Sequence, residues 1–231
     1  MFGLAPDFRA VRRRIAARYL RGDGLELGAL HEPLEVPPGA RVRYVDRLPA
    51  EELRHHYPEL AERELVPVDV VDDGERLGSI PDASVDFVIA NHFLEHCEDP
   101  IAAIGTFLRV ARPNGVVYLA VPDKRHSFDV RRTITPLDHL AADHDRGPEA
   151  SRRDHYLDWA RHVLDRKGGE AEDEANRLMA ARYSIHFHVW TRRSFLDFLR
   201  SCRDDRRMPF RIERTAANRV EVIAVLRKVC E

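Results

Sequence analysis

Short apolar runs alternate with helix-like patterns along the first half of the chain, which predicts parallel β-strands connected by helices. The run at 85–90 is almost continuously apolar, as in a strand buried on both faces. Asp99 and Pro100 open a predicted helix in which Ile101 and Ile104 lie on one stripe. The predicted strands are the runs at 24–27, 42–45, 65–71, 85–90 and 116–121.

The two ends of the chain carry other patterns. In the first twenty residues, apolar positions recur at helical spacing and arginines fall largely on other faces. This pattern predicts a helix that covers the sheet, rather than a targeting signal. Near the other end, Thr191 is the predicted N-cap of a helix that carries Phe195 and Phe198. Two β-rich runs, 210–214 and 219–226, then predict an antiparallel hairpin beside the parallel strands.

A polar segment, residues 124–190, separates these two patterns and is rich in His, Arg and Asp. We call it the insert. Helices are predicted to begin near Thr135 and Ser151. The sequence KGGEAEDE at 167–174 is typical of a flexible loop. The whole chain, 1–231, is interpreted as a single domain that carries this helical insert.

Composition narrows the class of protein. The chain has 231 residues, 44% of them hydrophobic and 33% charged, which is typical of a globular protein. The net charge of −2 disfavours nucleic acid as the main partner. We find no apolar run of the ~20 residues that a membrane-spanning helix needs. The three cysteines, at 97, 202 and 230, form no CxxC pair. A cytoplasmic protein is expected, and its oligomeric state is left open.

Polar or small residues follow each predicted strand directly. In an open α/β sheet, ligands bind at the carboxyl ends of the strands. A carboxylate after the second strand suits both hydroxyls of a ribose, and one after the third suits an exocyclic amino group. The sequence therefore predicts a pocket for a nucleoside-containing cofactor. The residues at these ends are Glu26, Gly28, Asp46, Asp72, Asp73, Asn91, His92, Pro122 and Asp123.

The chain resembles the class I S-adenosylmethionine-dependent methyltransferases in four stretches. These are LELGAL at 25–30, the strand that ends at Asp46, residues 73–96, and LRVARPNGVVYL at 108–119. The resemblance is close over about 20–125, loose over 191–227, and does not cover the insert. It implies an α/β fold with a Rossmann-like, doubly wound, mostly parallel sheet and a C-terminal antiparallel hairpin.

The same resemblance implies S-adenosylmethionine as the cofactor. Glu26 and Gly28 would line its methionine end, Asp46 its ribose and Asp73 its adenine, with Asn91 or His92 under the sulfonium. Only Gly28 remains of the family's glycine-rich loop, because Ala29 and Leu30 follow it. The predicted cofactor residues are Glu26, Gly28, Ala29, Asp46, Asp72, Asp73, Asn91 and His92.

Methyl transfer to a hydroxyl or ammonium group needs a base, and histidine titrates near neutral pH. The insert is expected to form the acceptor pocket and its lid. Its arginines at 131, 132, 152 and 153 either bind an anionic acceptor or balance the acids of the insert. A small-molecule acceptor, such as an anionic metabolite or a sugar, is predicted. The catalytic candidates are His92, Asp123, His126, His186 and His188.

His186 and His188 lie at i,i+2, so both imidazoles of an extended segment point to one side. A third metal ligand from His139, Asp143 or His155 is conceivable. No metal site is assigned, because no cysteine partners or second fixed spacing accompany the pair. Two alternatives stay open. The protein binds the cofactor, or a metal through insert histidines, but catalyses another reaction, or it is a non-catalytic module.

Overall fold

A seven-stranded sheet forms the centre of the structure, which is a computed structural model that describes residues 8–57, 60 and 62–230. The strands are β1 (Gly22–Leu27), β2 (Ala40–Asp46), β3 (Val70–Val71), β4 (Val85–Asn91), β5 (Ala111–Pro122), β6 (Phe210–Asn218) and β7 (Glu221–Lys228). Their order in the sheet is β3-β2-β1-β4-β5-β7-β6. Strands β1 to β5 are parallel, and β7 pairs antiparallel with β5 and β6. The predicted mostly parallel sheet with a C-terminal antiparallel hairpin is confirmed.

Helices cover the sheet and form most of the insert. They are α1 (Phe8–Tyr19), α2 (Ala50–His56), α3 (Pro100–Val110), α4 (Leu137–Arg146), α5 (Glu149–His162), α6 (Gly168–Ala180) and α7 (Arg192–Asp204). The predicted caps of α3 and α7 are confirmed. The side chain of Asp99 accepts from the N–H of Ala102, and Thr191 forms a capping box with Ser194. In the part of the chain that the structure describes, none of the helices is long and apolar enough to cross a bilayer.

The connection from β1 to β2 contains no helix, although the structure describes all of residues 28–39. Pro33, Pro37 and Pro38 lie in this connection, and proline disrupts a helix interior. Helix α1, which precedes β1, covers this face of the sheet instead. Ile15 packs there in one buried cluster with Phe87 of β4. The predicted covering helix is therefore confirmed over Phe8–Tyr19, and the rest of that prediction, residues 1–7, lies outside the described residues.

The third strand was predicted over 65–71, and this prediction is wrong because only Val70 and Val71 pair with β2. Pro67 lacks the N–H that a continuing ladder would need. Leu65 is buried beside Leu53 of α2, so the apolar residue packs under a helix. β3 is consequently a short edge strand.

The flexible loop predicted at 167–174 is also wrong, since helix α6 begins at Gly168. Ala171, Ala175 and Leu178 of α6 are buried in one cluster with Tyr156 and Trp159 of α5. Burial of this apolar stripe stabilises the helix despite its two initial glycines.

Candidate active site

One cleft of about 750 Å³ opens at the carboxyl ends of β1, β2 and β4. The chain leaves β1 toward β2 on one side and β4 lies on the other, so this is the switch point where ligands bind in open α/β sheets. The sheet side of the cleft is lined by Gly28, Leu30, Val45, Asp46, Arg47, Tyr57, Leu60, Asp73, Gly74, Glu75, His92, Phe93 and His96. The insert closes the far side with Phe128, Trp159, Tyr183, Ser184 and His186.

Gly28 places bare backbone against the cleft. Its φ is +60°, a conformation that favours glycine, and its N–H donates to the carbonyl of Val45 at 3.0 Å. A Cβ at Gly28 would lie 3.3 Å from the ring of Phe93, which also lines the cleft. A side chain at this position would therefore crowd the wall of the cleft.

Asp46 ends β2 and lines the cleft beside Gly28. Its Oδ1 accepts from the N–H of Arg47 at 2.7 Å, which fixes the carboxylate at the strand end. Burial raises the pKa of Asp46, against the effects of this backbone bond and the Arg47 charge. The charged form of Asp46 is therefore unfavourable in the folded protein. Ionisable groups perturbed in this way are often found at functional sites.

Glu75 is a second partly buried carboxylate on the cleft wall. It accepts from the N–H groups of Glu98 and Asp99 at 3.3 and 3.4 Å, at the start of α3. Burial raises the pKa of Glu75 to about 7, which leaves a proton available near neutral pH. Sequence reasoning missed Glu75, because it follows a polar turn and carries no pattern of its own.

His92 is clamped between two carboxylates at the floor of the cleft. Its Nε2 lies 2.8 Å from Glu221, and its Nδ1 lies 3.4 Å from Glu95. Burial alone would lower the pKa of His92, but the bonds to these carboxylates raise it to about 9. His92 is therefore an imidazolium at neutral pH, with no lone pair to accept a proton. Arg12 binds the far side of Glu221 and completes the pairing of that buried carboxylate.

His186, at the insert end of the cleft, differs from His92 because it is hydrogen-bonded to a carboxylate through one ring nitrogen only. Its Nδ1 lies 2.7 Å from Oδ2 of Asp129, a buried residue that also pairs with Arg132 at 2.9 Å. This contact places the ring proton on Nδ1, so Nε2 carries the lone pair. Nε2 lies 4.0 Å from Glu95. The geometry suits a base whose orientation is fixed by a carboxylate.

Aromatic rings surround His186. Phe128 is 55% exposed and its ring centroid lies 4.7 Å from that of His186. Trp159 stands edge-on to Phe128 at 5.4 Å and lines the same wall. Trp159 packs with Tyr156 in the core of the insert and also faces the cleft. A planar or ring-shaped ligand would find a stacking surface here.

The structure places only some of the residues that were predicted to bind the cofactor in the cleft. Gly28, Asp46, Asp73 and His92 line the cleft, whereas Glu26, Ala29, Asp72 and Asn91 are not among the described residues that line it. The carboxylate of Glu26 instead accepts from the N–H of Leu34 at 2.9 and 3.1 Å, and burial raises its pKa to about 7. Glu26 thus holds the β1–β2 connection that replaces the missing helix. Asp72 likewise binds the hydroxyl of Ser79 at 2.6 Å.

Of the predicted catalytic residues, too, only some line the cleft. His92 and His186 line the cleft, but Asp123, His126 and His188 do not among the residues described. Asp123 is buried and binds the side chain of Arg125 at 2.6 Å. His126 is exposed in a short 3₁₀ helix that follows β5. His188 belongs to a separate group of histidines inside the insert.

The insert arginines that suited an anionic acceptor each pair with an acid. Arg131 binds Asp165, Arg132 binds Asp129 and Asp158, Arg152 binds Glu98, and Arg153 lies 3.5 Å from Glu172. None of the four is among the described residues that line the cleft. The observed pairing matches the alternative interpretation, in which these arginines balance the acids of the insert.

The family described as "Methyltransferase domain" matches residues 22–119. No curated protein matches the sequence. A structure of a complex between a Haloferax volcanii methyltransferase activator and a putative methyltransferase is similar at 13% identity, over 96% of this chain and 90% of that one, with a TM-score of 0.53. A SAM-dependent methyltransferase from Methanosarcina mazei is similar at 17% identity, over 93% and 96%, with a TM-score of 0.49.

Proposed function

We propose that this chain, whose residues 22–119 belong to the methyltransferase-domain family, methylates a small molecule bound at the insert end of its cleft. S-adenosylmethionine is the cofactor of the domain. When bound, it supplies an electrophilic methyl group on a sulfonium. The protein then has to hold the cofactor, align the acceptor with it and remove a proton from the acceptor.

The residues at the sheet side of the cleft fit this cofactor. Asp46 presents a fixed carboxylate at the end of β2, where it would accept from both ribose hydroxyls. The open backbone at Gly28 would lie against the methionine part of the cofactor, since it has no side chain to block the approach. Asp73 is half exposed on the cleft and would accept from the adenine amino group.

One observation carries the proposal for a small acceptor: the sheet side and the insert side line one continuous cleft. Its volume of about 750 Å³ lies within the ~300–1,000 Å³ range of small-molecule sites. The insert contributes the wall opposite Asp46 and Gly28. A cofactor on the sheet side would therefore face an acceptor held by the insert.

The wall of the insert favours an acceptor with a ring and a hydroxyl group, such as a sugar. Phe128 and Trp159 offer aromatic faces, and Ser184 and His186 offer polar atoms beside them. An anionic acceptor is supported less well, because the insert arginines pair with acids outside the cleft. Arg47 lines the cleft, but it lies 2.8 Å from the hydroxyl of Tyr57.

His186 is the base in this proposal. Its Nε2 would take the proton of the acceptor hydroxyl while Asp129 stabilises the imidazolium that forms. His92 does not compete for this role, because it is already protonated between Glu95 and Glu221. Its positive charge instead compensates the negative charges of those two buried carboxylates.

The test is formation of S-adenosylhomocysteine by the full chain with a panel of sugars, small carboxylates and phosphates. We expect turnover with a hydroxyl-bearing ring compound. Phe128→Ala should raise the KM for this acceptor and leave the affinity for the cofactor unchanged. Methylation of proteins or RNA with no turnover on any small molecule would contradict the proposed acceptor class.

A further inference from the structure

Four side chains that can ligate a metal converge inside the insert, away from the cleft. His139 and Asp143 come from successive turns of α4, His155 comes from α5, and His188 comes from segment 185–190, which is neither helix nor strand. One ligand atom from each lies within 4.8 Å of all the others. None of the four is among the described residues that line the cleft, so this group is distinct from the proposed active site.

The distances among three of the four ligands, His139, Asp143 and His155, fit a tetrahedral metal site. Nε2 of His139 lies 3.1 Å from Oδ2 of Asp143 and 3.0 Å from Nε2 of His155. The third distance, from Nε2 of His155 to Oδ2 of Asp143, is 3.7 Å. Zinc bonds of about 2.0–2.1 Å in a tetrahedron put ligand atoms about 3.3–3.4 Å apart. The three distances therefore bracket the value that a shared zinc ion would impose.

Two of the four proposed ligands, Asp143 and His188, use one side-chain atom for a hydrogen bond and leave the second one free. Oδ1 of Asp143 accepts from the hydroxyl of Ser151 at 2.7 Å, which leaves Oδ2 buried without a hydrogen-bond partner. Nε2 of His188 lies 3.2 Å from the carbonyl of Glu98 and donates to it, which leaves Nδ1 buried and unpartnered. Such supporting bonds to the far atom are typical of metal ligands, because they fix the tautomer and aim the free atom.

Hydrogen bonds alone do not account for this arrangement. His188 is 1% exposed and His155 is 8% exposed, and Nε2 of His155 shares one hydrogen bond with Nε2 of His139 at 3.0 Å. That bond leaves Oδ2 of Asp143 and Nδ1 of His188, both buried, without a hydrogen-bond partner. Buried polar atoms without partners are costly in a native structure. A cation would satisfy them together.

We propose that this group binds one zinc ion through Nε2 of His139, Oδ2 of Asp143, Nε2 of His155 and Nδ1 of His188. Three imidazole nitrogens and one carboxylate oxygen are ligands that zinc accepts in tetrahedral geometry. With four protein ligands the site is closed, so the ion has a structural role. His139 has a side chain that is 36% exposed, which provides a path for the ion from solvent.

The ion would tie α4 and α5 to the segment that carries the proposed base. His188 lies two residues after His186, and the N–H of the intervening Phe187 donates to the carbonyl of Glu95 at 2.7 Å. Zinc at His188 would therefore restrict the same segment that places His186 in the cleft. The metal site itself does not depend on the proposed reaction.

The test measures zinc in the purified full chain after dialysis, and then repeats the measurement on variants. We expect about one zinc per chain and a lower melting temperature after chelation. Loss of a residue that only hydrogen-bonds to a metal ligand typically weakens metal binding by ~10–100-fold. His139→Gln removes a ligand itself, the most exposed of the four, and should weaken zinc binding by more than that. Ser151→Ala, which removes only the bond to Asp143, should weaken it by about 10–100-fold. Circular dichroism checks that both variants fold.

His96→Gln is the matched control, because His96 belongs to a second group of possible ligands with Glu95 and His186. This variant should keep its zinc, and wild-type protein loaded with cobalt should show the absorption bands of a tetrahedral site. The proposal is overturned if wild-type protein takes up no zinc and chelation leaves its melting temperature unchanged. It is equally overturned if His96→Gln loses the metal while His139→Gln retains it.

Discussion

Nδ1 of His186 and Oδ2 of Asp129 lie 2.7 Å apart at the insert end of the cleft. The two residues are 57 positions apart in sequence, and a short 3₁₀ helix after β5 brings Asp129 to the segment that carries His186. This contact holds the proton on Nδ1 and leaves Nε2 of His186 as the basic atom in the proposed function. It distinguishes His186 from His92, which lies in the same cleft but is paired on both nitrogens.

Replacement of His186 by Ala should lower kcat by about 10²–10⁴-fold, because that is the usual contribution of a positioned base. The Kd for S-adenosylmethionine, measured by calorimetry, should stay within a few-fold, since His186 lies on the insert side of the cleft. His55→Ala is the matched control, because His55 is exposed on α2 and lies outside the cleft. Full turnover in the His186 variant would exclude it as the base.

Replacement of Asp129 by Asn should lower kcat while the KM for the acceptor changes little. An amide can donate to Nδ1 of His186, which would favour the wrong tautomer and place the proton on Nε2. Arg132 keeps its bond to Asp158 at 2.6 Å, so the fold should survive the loss of charge. Steady-state kinetics of wild type and variant provide the comparison. A larger effect on KM than on kcat would argue against a positioning role for Asp129.

Replacement of Gly28 by Val should abolish cofactor binding and lower stability modestly. A β-branched side chain at φ +60° costs at least the ~1–2 kcal/mol of the left-handed conformation, and its Cβ would press on Phe93 at 3.3 Å. Gly78→Val is the control, since a Cβ at Gly78 meets no atom within 4 Å. Calorimetry and thermal melting separate the two effects. Cofactor binding that persists in the Gly28 variant would mean that this loop is not the binding surface.

The pairing of His92 with Glu95 and Glu221 should make stability depend on pH in the alkaline range. Its folded pKa of about 9 lies above the unfolded value of about 6.5, so its contribution is full below about pH 6.5 and is lost as pH rises through about 9. The difference in unfolding free energy between wild type and His92→Gln should therefore shrink between about pH 6 and about pH 10. Urea unfolding at both pH values measures it. A difference that stays constant would show that His92 is not a stabilising cation.

The central sheet was predictable because its strands carry continuous apolar runs, as at 85–90, and because Asp99 and Thr191 mark helix starts. The predictions failed where tertiary packing overrides local composition. Residues 168–180 contain two glycines and many acids, but the buried face of Ala171 and Leu178 makes them helical. No local signal distinguishes that face from a solvated loop.

The site was predictable only at the ends of strands, where sequence order alone places Asp46 and Gly28 at one edge of the sheet. Glu26 occupies an equivalent position but turns to the N–H of Leu34, because the connection after β1 has no helix. The partners of His186 could not be predicted, since Asp129 and Glu95 come from distant segments. The i,i+2 spacing predicted only that His186 and His188 point to the same side. In the structure His186 lines the cleft, whereas His188 lies in the separate group of histidines inside the insert.

Binding of S-adenosylmethionine beside Asp46 is the central claim, and isothermal titration calorimetry of wild type and Asp46→Ala tests it most directly. Loss of hydrogen bonds to a charged group costs about 1.5–3 kcal/mol, so affinity should fall roughly tenfold to a hundredfold. The melting temperature should not fall, because burial raises the pKa of Asp46 and its charge is unfavourable in the folded state. Asp154→Ala, at an exposed position outside the cleft, should bind like wild type. Equal affinity in wild type and Asp46→Ala, or no binding by wild type, would contradict the account.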